Sequence, residues 1–130
     1  VIRKITAAEA RPYFDHPTQR RAGMIDPADL HDNGIEYWAN GPMCAAFHAA
    51  HWPGVLMAHH GCRPKAWGSA AILARELLLH VWGEKSPDLI IGWTKESNRA
   101  AVAMARRAGF VVDGKLNLPD GAVLMQSWRP

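Results

Sequence analysis

Two histidines stand side by side, His59 and His60, at the end of the apolar run Val55–His60. An imidazole titrates near neutrality, so it can take a proton from an attacking nucleophile at physiological pH. Successive strand residues point to opposite faces, so at most one of the two serves a given site. Glu36 and His48, on neighbouring apolar runs, are further candidates for a general base. Just downstream, Lys65-Ala66-Trp67-Gly68-Ser69-Ala70 leads into a helical pattern. A helix N-terminus offers unpaired backbone N–H groups and the positive end of the helix dipole. Gly68 has no Cβ, so an anion could come close to the backbone there. Ser69 and Ala70 are also small, and Arg63 and Lys65 add positive charge. These are the parts of a pyrophosphate cradle. The spacing is neither that of a P-loop nor that of the dinucleotide glycine fingerprint.

Such residues need a scaffold, and its elements are readable. Val1–Ile5 reads as a strand, and Thr6 with Glu9 has capping-box spacing for a helix from Ala7 to about Phe14. His16–Gly23 reads as loop. Asp26-Pro27 opens a short helix over Pro27–His31. Three apolar runs follow, Ile35–Ala39, Pro42–Ala50 and Val55–His60, broken by Asn40-Gly41 and by His51–Gly54; they predict an antiparallel meander. Gly68–Trp82 turns helical, with Ala70, Leu73, Ala74, Leu77 and Val81 on one face and Gly83 as the stop. Leu89–Trp93 reads as a strand buried on both faces. A second such helix runs from Ser97 or Asn98 to Ala108, with Arg99, Arg106 and Arg107 outward and Gly109 as its stop. Phe110–Leu116 and Ala122–Trp128 close the chain as strands. The expectation is one mixed α/β domain over residues 1–130, in the order β-α-α-β-β-β-α-β-α-β-β, with a parallel crossover unit joined to an antiparallel half.

Two stretches in this order carry a resemblance. Lys65-Ala66-Trp67-Gly68-Ser69-Ala70 opens a helix after a central strand. About thirty residues later a helix starts at Asn98 and ends in Gly109-Phe110. The chain resembles the GNAT superfamily of N-acetyltransferases, whose cofactor motif is Gln/Arg-x-x-Gly-x-Gly/Ala; Lys65 takes the Gln/Arg place. The resemblance implies acetyl-CoA, or another acyl-CoA, as co-substrate of an N-acyltransferase acting on a small amine or a protein amine. It places the pyrophosphate on the amides of Ala66, Trp67, Gly68, Ser69 and Ala70, beside Arg63 and Lys65. It sets the pantetheine arm along the strand at Ala58 to His60, Asn98 near that arm, and Arg106 or Arg107 at a nucleotide phosphate. A backbone N–H near Ala58 to His60 would stabilise the developing oxyanion. Many members carry a tyrosine general acid seven residues after the Asn; here that position is Ala105, which has no proton to give. The rival expectation is therefore a GNAT-like domain that has lost catalysis and serves as a binding or structural module. Such domains also occur among bacteriophage proteins, virion components included.

Composition narrows the rest. Of 130 residues 48% are apolar, enough for a packed core. Fifteen basic against twelve acidic residues give +3, suited to an anionic ligand, and no Lys/Arg run points to nucleic acid. No signal-peptide pattern and no membrane-length apolar run is seen, so the expected location is cytoplasmic, or a virion under the rival reading. Cys44 and Cys62 read as reduced thiols. The crowd of Cys44, His48, His51, His59, His60 and Cys62 suggests zinc ligands, but strand spacing sends His48 and His51 to opposite faces and no His-Glu-x-x-His occurs. No metal is expected. Most of the six tryptophans are expected in the core, with Trp67 in the phosphate loop as the exception. A sheet that splays between its parallel and antiparallel halves leaves room for a homodimer.

Overall fold

Thr6 caps the first helix, α1 (Ala7–Phe14), reciprocally. Its hydroxyl accepts from the Glu9 amide, and the Glu9 carboxylate accepts from the Thr6 amide at 3.1 Å. The chain is seen in a computed structural model that describes residues 1–17, 19 and 25–130. The loop expected over His16–Gly23 falls largely outside those residues. Strand β1 (Ile2–Ile5) precedes α1. The short helix expected over Pro27–His31 is a single 3-10 turn, Pro27–Asp29. Asp26 caps it, but Leu30 takes an extended backbone and goes into the core, which ends the turn.

The meander follows as β2 (Ile35–Asn40), β3 (Met43–Ala49) and β4 (Val55–Cys62), antiparallel throughout. Then come α2 (Ala70–Lys85), β5 (Leu89–Lys95), α3 (Arg99–Ala108), β6 (Val111–Leu118) and β7 (Gly121–Trp128). The seven strands form one sheet in the order β1-β2-β3-β4-β5-β7-β6, and β4–β5 is its parallel pair. The mixed α/β architecture is thus the expected one, with the crossover helix α2 between the two parallel strands.

Two further details depart from the sequence reading. Gly83 does not stop α2. The helix runs on to Lys85, whose ammonium bonds the Glu36 carboxylate, and Ser86 ends it in a left-handed conformation with φ +48°. Packing of Leu77, Leu78 and Val81 under the helix outweighs the modest propensity cost of one glycine. The tryptophans are also less buried than expected. Trp128 is enclosed and Trp38 and Trp82 are partly buried, whereas Trp52, Trp67 and Trp93 are exposed.

The sheet has a core on each face. Helices α2 and α3 cover one, burying Met43, Phe47, Leu77, Val81, Ile90 and Trp128. Helix α1 covers the other over β2 to β4, with Ile5, Phe14, Tyr37 and Ala46. Each large apolar side chain so enclosed contributes about 1.5–3 kcal/mol. Gly109 locks α3 to the sheet. Its φ of +110° suits glycine, and a Cβ there would lie 2.9 Å from Trp128 Nε1 and 3.1 Å from an Arg75 nitrogen. Both groups donate to the Ala108 carbonyl at the helix end, at 2.9 and 3.4 Å.

Candidate active site

Strands β4 and β5 pair only where Val55–Met57 meets Leu89–Ile91. Beyond that they part, and β4 runs on to Cys62 paired with β3 and no longer with β5. A cavity of about 110 Å³ opens at the parting. Alternation along the strands divides its lining. Ala58, His60, Gly92 and Thr94 look toward α2 and α3, where Asn98, Ala105 and Phe110 complete the wall. His59, Trp93 and Lys95 look toward α1, where Phe14 joins them. The cavity is thus a passage through the sheet with a half on each face.

On the α1 face His59 stacks on His48, ring centroids 5.1 Å apart, with their Nε2 atoms 3.0 Å apart. His48 Nδ1 lies 3.0 Å from the Ala49 carbonyl, which can only accept, so Nδ1 carries a hydrogen. In the neutral pair His48 Nε2 is then the acceptor and His59 Nε2–H the donor. That leaves Nδ1 as the lone-pair nitrogen of His59, whose ring lines the cavity. Burial, and secondarily charge on His48, push His59 down to about 4. It is therefore neutral near pH 7 and able to accept a proton. His60 points the other way, edge-on to Phe110, and burial with the charge on His59 pushes it down to about 4 as well. Among the described residues its Nε2 is buried without a hydrogen-bond partner, and its carbonyl accepts from Gln19 Nε2 at 3.2 Å.

The other candidate base is elsewhere. Glu36 lies near the C-terminal end of α2, paired with Lys85 and, at 3.5 Å, with Lys4. Burial pushes its carboxyl up, but the Lys85 bond and the charges of Lys85 and Lys4 outweigh that and hold it below the usual range. It takes no part in the lining of the cavity. Among the described residues no three His, Cys, Asp or Glu side chains converge as metal ligands. Cys44 and Cys62 are free thiols, and burial pushes Cys44 up to about 12.

The loop expected to hold phosphate begins with a 3-10 turn, Pro64–Ala66. The amides of Ala66, Trp67 and Ser69 are spent there, on the carbonyls of Arg63, Pro64 and Ala66. Helix α2 makes its first internal bond from Leu73 to Ser69, so Ala70, Ala71 and Ile72 stand ahead of it. Amides suited to an anion therefore begin at Gly68 and run into the first turn, slightly later than the Ala66–Ala70 span expected. Gly68 has φ +95° and open space where a Cβ would sit. Trp67 is 60% exposed against His16 and leaves the loop uncovered. Lys65 is exposed in the turn, whereas the Arg63 guanidinium lies 4.6 Å over the Tyr13 ring. Asn98 caps α3, accepting from the Ala101 amide at 3.2 Å, and lines the cavity. Arg106 and Arg107 are exposed in the last turn of α3. Ala105, where the resemblance implies a tyrosine, is buried and lines the passage.

Sequence reasoning missed Trp93, Thr94, Lys95 and Gln126. The only signal was a polar end to an apolar strand, Trp93-Thr94-Lys95. Thr94 Oγ1 donates to Gln126 Oε1 at 2.7 Å, across to β7, which no local pattern predicts.

This sheet, parted at its parallel pair, has close counterparts among solved structures. An aminoglycoside acetyltransferase in complex with coenzyme A and kanamycin superposes with TM-score 0.73 at 17% identity, covering 98% of this chain and 93% of that one. The fold is that of the GNAT acetyltransferases. A GNAT-family acetyltransferase from Bacillus anthracis matches with TM-score 0.73 at 14% identity, over 98% of this chain and 92% of that one. A spermidine N-acetyltransferase chimera from Vibrio cholerae matches with TM-score 0.73 at 13% identity, over 97% and 93%. No protein-family model and no curated protein matches the chain by sequence. The likeness to the GNAT acetyltransferases is thus one of fold. Among the described residues no helix is long and apolar enough to cross a membrane.

Proposed function

We propose that the protein is an acyl-CoA-dependent N-acyltransferase that moves an acetyl group from acetyl-CoA to an amine by direct attack. The observation that carries this reading is the passage between β4 and β5, lined by the neutral His59, on a strand that leads through Cys62 to a helix start with free amides. The pyrophosphate rests on the amides from Gly68 into the first turn of α2, with Lys65 at hand. The pantetheine arm follows the free edge of β4 from Ala58 to His60. The amine enters from the α1 face. Its nitrogen attacks the thioester carbonyl carbon, the N–C bond forms, and His59 Nδ1 takes the proton as the nitrogen becomes acidic. An amide on the free edge of β4 stabilises the oxyanion. The C–S bond then breaks and coenzyme A leaves as the thiolate, since Ala105 has nothing to donate. His60 Nε2, buried without a partner among the described residues, gains one from the acyl-CoA.

Ala105 also favours a second reading, a GNAT-like binding module without catalysis. The exposed Trp67 and the open space at Gly68 speak for a working cradle instead.

Calorimetry with acetyl-CoA and with coenzyme A tests the proposal. Binding is expected for the native chain, weaker binding for Gly68→Ala because φ +95° strains an alanine, and its loss for Gly68→Glu, which adds to the same strain a carboxylate where the phosphates sit. Neither heat nor thermal stabilisation at millimolar acetyl-CoA would sink the enzyme reading.

A further inference from the structure

The α1-facing half of the passage has its own chemistry. Trp93, Phe14 and Ile25 make an apolar wall, and Trp93 keeps 37% of its surface exposed beside the opening. Lys95 lines the same half, two residues along β5 on the face of Trp93, and makes no ion pair among the described residues. No carboxylate among the described residues lines the passage. Glu96, next in sequence, is bonded to Lys115 at 3.0 Å. A polycationic acceptor would thus meet a lysine and, among the described residues, no carboxylate, a desolvation cost without return. His59 at the inner end is neutral and does not repel an amine.

We propose that the acceptor is a small α-amino acid with an apolar or aromatic side chain. Its carboxylate pairs with Lys95, its side chain packs on Trp93 and Phe14, and its amine reaches His59 and the thioester. At about 3.3 Å per strand residue, Lys95 lies roughly 10 Å along β5 from Gly92, where the strands part. A lysine stem folding back and one α-amino carboxylate together fill that span. The amino nitrogen gains the acetyl group and loses a proton to His59, while the C–S bond breaks to release coenzyme A. This assignment rests on the acyltransferase reading above.

The test is thiol release from acetyl-CoA with free phenylalanine, free leucine, phenylalaninamide, phenethylamine and spermidine. Phenylalanine and leucine are expected to be acetylated, with KM about tenfold or more below that of phenethylamine and phenylalaninamide, the lower end for a charge-assisted hydrogen bond at a half-exposed lysine. Lys95→Gln is expected to raise KM for phenylalanine about tenfold and bring the phenylalanine-to-phenethylamine ratio near one. Acetyl-CoA affinity of each variant, read by calorimetry, reports an intact fold. Preference for spermidine overturns the assignment, as does turnover of phenylalaninamide equal to phenylalanine, which would point to a peptide N-terminus. Acetyl-CoA binding without acetylation of either amino acid also overturns it and leaves the cofactor site standing. Absence of acetyl-CoA binding instead removes the acyltransferase reading itself.

Discussion

Replacing His48 with glutamine tests the base assignment most sharply. Glutamine Oε1 can still accept from His59 Nε2–H, so the lone pair stays on Nδ1, but the neighbouring charge is gone. The drop of His59 from 6.5 to about 4 corresponds to about 3 kcal/mol against its protonated form. Burial is the larger cause and His48 the second, so the share of His48 is under half, about 1 kcal/mol or just under one pH unit. The sign follows from the charge. Removing a neighbour that opposes protonation raises the His59 pKa, and the acid limb of kcat/KM moves up from about pH 4 toward pH 5. The assay is kcat/KM from pH 4 to 8 for both proteins with one amine. Dividing the two profiles cancels the titration of the amine itself. The ratio of native to variant is expected to be flat above pH 6 and to grow to about twofold at pH 4.5 and about threefold at pH 4. His59→Gln should lower kcat about 10²- to 10⁴-fold at every pH. A ratio flat down to pH 4.5, together with more than a tenth of kcat retained in His59→Gln, would show that His59 is not the base.

Two predictions concern stability. Gly109→Ala forces a left-handed backbone on alanine and pushes against Trp128 and Arg75; strain plus a damaged buried hydrogen bond should cost about 3 kcal/mol, lowering Tm by about 10 °C in a calorimetric scan, and a change under 2 °C would refute the locking role. For His59 and His60 the folded values lie near 4 and the unfolded near 6.5, so between those limits the unfolded chain binds more protons. Their effect on stability is level above pH 6.5 and stability falls as pH drops through the window; urea unfolding at pH 7 and pH 5 should differ by about 2–4 kcal/mol. Equal stability at the two pH values would contradict the buried neutral state of both rings.

Much of the site was legible because its signals are local. A helix start with Gly68 and small neighbours, an Asn98 cap and a Gly109 stop each follow from one residue's backbone needs, so residue order alone reveals them. Adjacent His59 and His60 had to face opposite ways, as they do, because strand geometry alternates side chains. Glu36 could not be sorted the same way. Its ion pair with Lys85 spans 49 residues and depends on how far α2 runs past Gly83. The exact amides free at the loop depended on a 3-10 turn whose bonds no pattern announces.

By itself the sequence determined the order of elements, the faces of the helices and the residue types at the turns, because periodicity and backbone preference act over a few residues. Only the tertiary structure decided where β4 and β5 part, and hence that a passage crosses the sheet. It also decided that His48 fixes the tautomer of His59, and that Trp93 and Lys95 share a wall with Phe14. Those facts depend on the register between distant strands. Register is set by the summed packing of both sheet faces, and no single stretch of chain contains that sum.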